Sequence, residues 1–166
     1  MLGLTTLGTF HTAISLVAVI AGLVALVRDP ALSTENRRGR VYVAATVLTC
    51  LTAFGIFQHG GFGKAHAAAV ITLGVLAGVA LARRSLPGRV SRYVEPLGYS
   101  FTFFIHLIPG VTETATRLPR SAPLVSSPDA PALQATIGVL FCLFLLGAGW
   151  QAARLWRTVP VSRMRA

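Results

Sequence analysis

Five long apolar stretches, separated by short polar segments, constrain the fold of this chain more than any other sequence feature. A helix of about 20 apolar residues is long enough to cross the hydrocarbon core of a bilayer, which is roughly 30 Å thick. We therefore predict an all-α, integral membrane helical bundle of about five transmembrane helices, with residues 1–166 forming a single transmembrane domain. The predicted spans are Leu7–Val27, Val41–Gln58, His66–Ala82, Tyr93–Ile108 and Leu133–Trp156.

The composition supports the same class of protein. Apolar residues make up 54% of the chain and charged residues 12%, with a formal net charge of +10. Soluble domains carry roughly a quarter charged residues, so the composition argues against a water-soluble enzyme or nucleic-acid-binding module. The expected environment is the lipid bilayer, with no nucleic-acid partner.

The distribution of arginines predicts the orientation in the membrane. Twelve of the fifteen basic residues lie in the links between spans one and two and between spans three and four, or near the C-terminus. Segments rich in Lys and Arg stay in the cytoplasm. We predict a bacterial inner-membrane protein with its N-terminus outside and its C-terminus cytoplasmic. The basic residues on the opposite side are Lys64, Arg117 and Arg120.

Two patterns of polar residues mark candidate functional positions. In the predicted topology all four histidines reach the outer level of the membrane, where ionisable groups are costly and suggest function. The fourth span also carries a polar stripe within an arc of about 60° on a straight helix. The alternative is a polar face sealed by neighbouring helices. The histidines are His11, His59, His66 and His106, and the stripe comprises Glu95, Tyr99, Thr102, His106, Glu113 and Arg117.

Imidazoles gathered at one level predict a cofactor. Neutral imidazole binds iron, copper and zinc, and two imidazoles from facing helices hold a haem iron. The sequence therefore predicts haem b or a transition metal (Cu, Fe or Zn) bound by the four histidines, with Glu113 as a further ligand to a bare metal ion. No HxxH or HExxH spacing is present, and no catalytic residue is assigned.

These patterns lead to ranked hypotheses about function. The first is a periplasmic-side histidine cluster that serves electron transfer, quinone-linked redox chemistry or cofactor handling. The second is a cofactor-free structural or assembly subunit of a membrane complex, with a redox or assembly partner or a second copy of the chain. A proton-coupled carrier and a zinc-dependent membrane hydrolase are minor alternatives.

Small residues predict where helices pack closely. A seam of small side chains runs along the first span from Gly8 to Gly22, and the third span contains the GxxxG pair Gly74 and Gly78. Such positions usually mark packing faces in membranes. Cys50 and Cys142 are expected to pack as small side chains, with a disulfide or a thiolate ligand as the alternative. The seam consists of Gly8, His11, Ser15, Ala18 and Gly22.

Prolines and aromatic residues predict further local features. Pro109 and Gly110 are expected to interrupt the fourth helix, and a proline-rich outer loop is predicted over residues 111–132, as either a lid or a plain spacer. Tyr42, Trp150 and Trp156 are predicted to anchor the chain at the membrane interface.

Several motifs resemble a known group of proteins. They are an early histidine in the first span, Arg37-Arg-Gly-Arg-Val-Tyr42 opening the second, and Arg92-Tyr93 opening a later one. Over residues 10–119 this pattern resembles bacterial predicted multi-pass inner-membrane proteins of unknown function. Phe57-Gln-His-Gly-Gly-Phe62 and the segment 104–114 look like signatures of a subgroup. The chain is only loosely similar to membrane b-type cytochromes, because it lacks their histidine pairs at two levels.

Overall fold

The computed structural model describes residues 5–29, 31–57, 61–119 and 121–157, and within these ranges all regular structure is α-helical. The prediction of an all-helical chain with five long helices is confirmed. The helices are α1 (Thr6–Arg28), α2 (Arg37–Ala53), α3 (Lys64–Ser85), α4 (Gly88–Arg117) and α5 (Pro131–Arg157).

Local sequence explains where several helices begin. The Thr5 hydroxyl accepts a hydrogen bond from the Gly8 amide at the start of α1, and the Asn36 side chain accepts one from the Gly39 amide at the start of α2. Such side-chain caps satisfy amides that have no partner inside the helix. Proline at the first position of α5 needs no such acceptor.

Three helices, α1, α3 and α5, are long and apolar enough to cross a membrane, as expected of a membrane protein. Helix α2 has only 17 residues and opens with three arginines. Helix α4 carries charged residues along its length, but it packs against α1, α3 and α5 and contains more buried residues than any other helix. A helix enclosed by its neighbours does not need an apolar surface all round.

The predicted seam of small residues on α1 lies at a helix interface. Gly8, Ala18 and Gly22 are buried, and α1 and α2 form the most extensive helix pair. A Cβ atom at Gly22 would lie 2.6 Å from the Phe103 ring and 2.9 Å from the Tyr42 ring. Glycine therefore permits the close approach of α1 to α2 and α4.

The prediction that α4 is interrupted after Ile108 is wrong. The helix continues through Pro109 and Gly110 to Arg117, so the connection between α4 and α5 spans 118–130 rather than 111–132. The hydroxyls of Thr112, Thr114 and Thr116 each donate to the carbonyl four residues earlier. The hydrogen bond that Pro109 removes is the one to the Ile105 carbonyl, a single loss that membrane helices tolerate.

Two further local predictions fail. Tyr42 is fully buried, and its hydroxyl lies 2.8 Å from Thr102 Oγ1, so it does not anchor the chain at the interface. Trp150 and Trp156, the other two predicted anchors, are exposed.

The glycines Gly74 and Gly78 lie on an open face of α3, where an added Cβ would meet no atom within 4 Å. This pair is therefore not a packing face within the described part of the chain.

Candidate functional site

A cavity of about 230 Å³ lies among α1, α2, α3 and α4. Its wall is mainly apolar, with a few polar side chains from different helices, which is typical of sites that bind small ligands. His11 on α1, His106 on α4 and Glu113 on α4 all line it. The structure therefore brings together two of the predicted histidines and the predicted carboxylate.

His11 is oriented by α2. Its Nδ1 atom lies 2.9 Å from Thr52 Oγ1, and Thr52 Oγ1 also lies 2.9 Å from the Leu48 carbonyl oxygen and 3.0 Å from that of Thr49. Carbonyl oxygens only accept, so the Thr52 hydroxyl donates to the helix backbone and the His11 Nδ1–H group donates to Thr52. The neutral ring then keeps an unprotonated Nε2 atom, which can bind a metal ion or accept a hydrogen bond.

His106 is buried, with 8% of its surface exposed. Its Nε2 atom is inaccessible to solvent and has no hydrogen-bond partner within the described residues. The ring lies near the Ser15 backbone and close enough to His11 to interact with it electrostatically. A buried ring nitrogen without a partner is costly, so a ligand that binds this nitrogen would offset that cost.

Glu113 lies at the exposed end of the cavity. Its carboxylate pairs with Arg117 one helical turn later, and its side chain is 57% exposed. Glu113 also interacts electrostatically with His11. In the described ranges no three His, Cys, Asp or Glu side chains lie close enough together to hold a metal ion. Two imidazoles therefore face the cavity, and the carboxylate is turned towards Arg117.

His66 lies outside this cavity. Its Nδ1 atom accepts a hydrogen bond from the Gly63 amide at 3.2 Å, which caps the start of α3. The ring stacks against Phe57 and Phe62, with ring centroids 5.0 and 5.2 Å away. Because Nδ1 accepts this bond, a neutral His66 carries its proton on Nε2. His66 thus has a structural role at the turn between α2 and α3, and His59 lies outside the described residues.

The polar stripe on α4 divides into two networks. Near the start of the helix, Glu95 Oε1 lies 2.7 Å from Arg83 Nη1 and accepts hydrogen bonds from Ser33 Oγ at 2.9 Å and the Thr34 amide at 3.0 Å. This carboxylate joins α3, α4 and the segment between α1 and α2. The sequence carried no indication of these partners, since Arg83 and the adjacent pair Ser33 and Thr34 come from two other parts of the chain.

The middle of the stripe contacts α2. Tyr42 Oη lies 2.8 Å from Thr102 Oγ1, which donates to the Tyr99 carbonyl at 2.9 Å. These groups are buried and satisfied within the protein. Glu95 and Thr102 therefore belong to a polar face that neighbouring helices seal, which was the alternative interpretation of the stripe. His106 and Glu113 instead line the cavity.

Thr52 was missed as a functional candidate, and Cys50 was interpreted mainly as a packing residue. Thr52 orients His11, and its only sequence signal is that it follows Thr49 by three residues on the same face of α2. Cys50 is a free, buried cysteine that lines the cavity. The sequence interpretation favoured packing as a small side chain, with a disulfide or a thiolate ligand as the alternative.

The size of the cavity bears on the two predicted cofactors. Pockets that enclose drug-sized molecules have volumes of roughly 300–1,000 Å³, and the cavity here is about 230 Å³. A metal ion with its water ligands fits this space. The chain matches no family model, and no curated protein or solved structure shows significant similarity to it.

Proposed function

We propose that this protein binds a transition-metal ion in the cavity through the Nε2 atoms of His11 and His106, for electron transfer or metal handling in a bacterial inner membrane. The observation that supports this most is the convergence of two imidazoles from distant parts of the chain on one cavity. One of them has a buried nitrogen with no partner in the part of the chain that the structure describes.

The surroundings of His11 support metal binding over simple packing. Histidines that bind metals usually donate their second ring N–H group to a nearby oxygen, which fixes the tautomer and the ring orientation. The contact between His11 Nδ1 and Thr52 Oγ1 has this form. Imidazole is a good ligand for copper, iron and zinc, so these three metals are the proposed occupants.

Glu113 is the proposed third ligand. Its exposed carboxylate pairs with Arg117 across one helical turn, and exposed pairs of this kind contribute little stability. The Glu113 carboxylate can therefore exchange its contact with Arg117 for a metal ion at a small cost in free energy. Two histidines and a carboxylate leave open coordination positions for water or a substrate, a set typical of iron centres that react with small molecules.

The proposed topology places this site at the outer side of the membrane. Five spans with the N-terminus outside bring the first turns of α1 and the C-terminal half of α4 to the periplasmic level, in agreement with the arginine distribution. A quinone or a periplasmic redox protein is the natural electron partner for a metal at this depth.

The test is metal analysis of the detergent-purified full chain. We expect close to one equivalent of copper, iron or zinc, a reduced-minus-oxidised spectrum without haem bands, and loss of the metal in both His11→Ala and His106→Ala. His66→Gln is the matched control and should keep the metal. Metal-free protein after supply of all three ions, or a haem spectrum that depends on His106, would contradict the proposal.

One observation favours the alternative, a cofactor-free assembly subunit. Gly74 and Gly78 lie on an open face of α3, and GxxxG pairs commonly join helices of different chains in membranes. A partner protein or a second copy of the chain would pack there. A stable complex that persists in His11→Ala and contains no metal, but dissociates in Gly78→Leu, would support this function over metal binding.

A further inference from the structure

A second cavity lies on the outside of the bundle, against the part of α1 that follows Leu16. It is an open groove of about 340 Å³ between α1 and α2. Side chains from Val17 to Val24 on one face of α1 form one wall, and Val41 on α2 contributes to the other. The charged residues that line it are Arg37 and Arg38, at the start of α2.

The charge at the end of this groove is only partly neutralised. Arg38 Nη1 lies 2.7 Å from Asp29 Oδ1. Arg37 is exposed and has no ion pair within the described residues. The first turn of α2 contains no acidic residue, although the positive end of a helix dipole favours negative charge. The groove thus joins an apolar channel to a site that favours an anion.

We propose that this groove binds one anionic phospholipid, with an acyl chain along the α1 wall and the phosphodiester on Arg37. The eight residues from Val17 to Val24 give about 10 Å of apolar wall, enough for several methylene groups. The guanidinium group forms paired hydrogen bonds with phosphate oxygens, and basic pockets between membrane helices on the cytoplasmic side are known to hold anionic headgroups. This inference is independent of the proposed metal site.

The test compares two lipids by native mass spectrometry of the detergent-purified full chain. Phosphatidylglycerol and phosphatidylcholine with identical acyl chains are titrated separately. We expect phosphatidylglycerol to bind at least about fivefold more tightly than phosphatidylcholine, because the attraction between one arginine and an anionic headgroup has roughly this effect. Arg37→Gln should remove this preference.

Arg84→Gln is the matched control for charge. Arg84 is exposed near the end of α3. Its neighbour Arg83 contacts Glu95 and the segment before α2, so Arg84 and Arg37 lie at the same end of the bundle. Arg84→Gln should preserve the preference for phosphatidylglycerol. Equal losses in the two variants would indicate diffuse charge attraction and would overturn the proposal.

Ala21→Trp tests the apolar part of the site without altering charge. Ala21 lines the groove, so the indole should fill it and weaken binding of both lipids. Unchanged lipid binding in a variant that keeps its helical circular dichroism would overturn the proposed location. A lipid-free dimer that separates in Ala21→Trp would likewise overturn it, because a second copy would then occupy the groove.

Discussion

The Nδ1 atom of His11 on α1 lies 2.9 Å from the Thr52 hydroxyl on α2, and this contact leaves the Nε2 atom of the ring as the nitrogen that can bind a ligand. The hydrogen bond thus links helix packing to the chemistry of the cavity. Replacing Thr52 removes this hydrogen bond and leaves the other contacts of the His11 ring in place.

We predict that Thr52→Val lowers the affinity for the bound metal about 10- to 100-fold, the usual effect of removing such an outer partner. Valine keeps the volume but supplies no acceptor for the His11 N–H group. Competition with a chromophoric chelator measures the affinity, and Thr52→Ser, which keeps the hydroxyl, should bind normally. Equal affinities in all three proteins would show that Thr52 does not orient a metal ligand.

Loss of Glu95 should destabilise the bundle. Its buried carboxylate pairs with Arg83, whose side chain is 33% exposed, so Glu95→Ala should cost about 2–3 kcal/mol, somewhat below the value for a fully buried pair. Denaturation in mixed detergent micelles measures this change. The exposed Glu35→Ala should change stability by less than about 0.5 kcal/mol, and a similar effect of both variants would refute a structural role for Glu95.

The buried position of Tyr42 makes a separate prediction. Tyr42→Phe removes the hydroxyl that lies 2.8 Å from Thr102 Oγ1 and should reduce the free energy of unfolding by about 1 kcal/mol. A tyrosine at the membrane interface would lose little in the same substitution. Trp150→Phe, at an exposed position, provides the comparison in the same denaturation experiment.

Glycine substitutions should separate close packing from open surface. A Cβ atom at Gly39 would lie 1.9 Å from the Ser33 carbonyl oxygen, whereas at Gly78 it would meet no atom within 4 Å. Gly39→Ala should therefore lower the free energy of unfolding by about 1–3 kcal/mol. Gly78→Ala should be neutral or slightly stabilising, because alanine favours the helix. Thermal unfolding in detergent should rank the two variants in this order.

Hydropathy alone predicted much of the fold, because each helix is a local run of residues with its own composition. The positions of the five helices agree with the predicted stretches, and the small residues of α1 identified a true interface. The prediction failed at Pro109, where local propensity indicated an end to the helix but the helix loses one hydrogen bond and continues to Arg117. It failed at Tyr42 because aromatic residues occur both at interfaces and in cores.

The candidate site was only partly predictable. A common depth of the histidines suggested a cluster, yet His66 caps α3 while His106 reaches the cavity. Depth along the membrane normal follows from position in the sequence. Rotation about each helix axis depends on which side chains interdigitate with neighbouring helices, and no single helix contains that information.

By itself, the sequence determined the helical class of this protein, its apolar helices and the asymmetry of its arginines, since these depend on residues that are close together in the chain. Only the tertiary structure decided that His11 and His106 share a cavity, that Thr52 orients one of them, and that Glu95 is enclosed in a structural network. These contacts join distant segments, and their formation depends on the packing of four helices against one another.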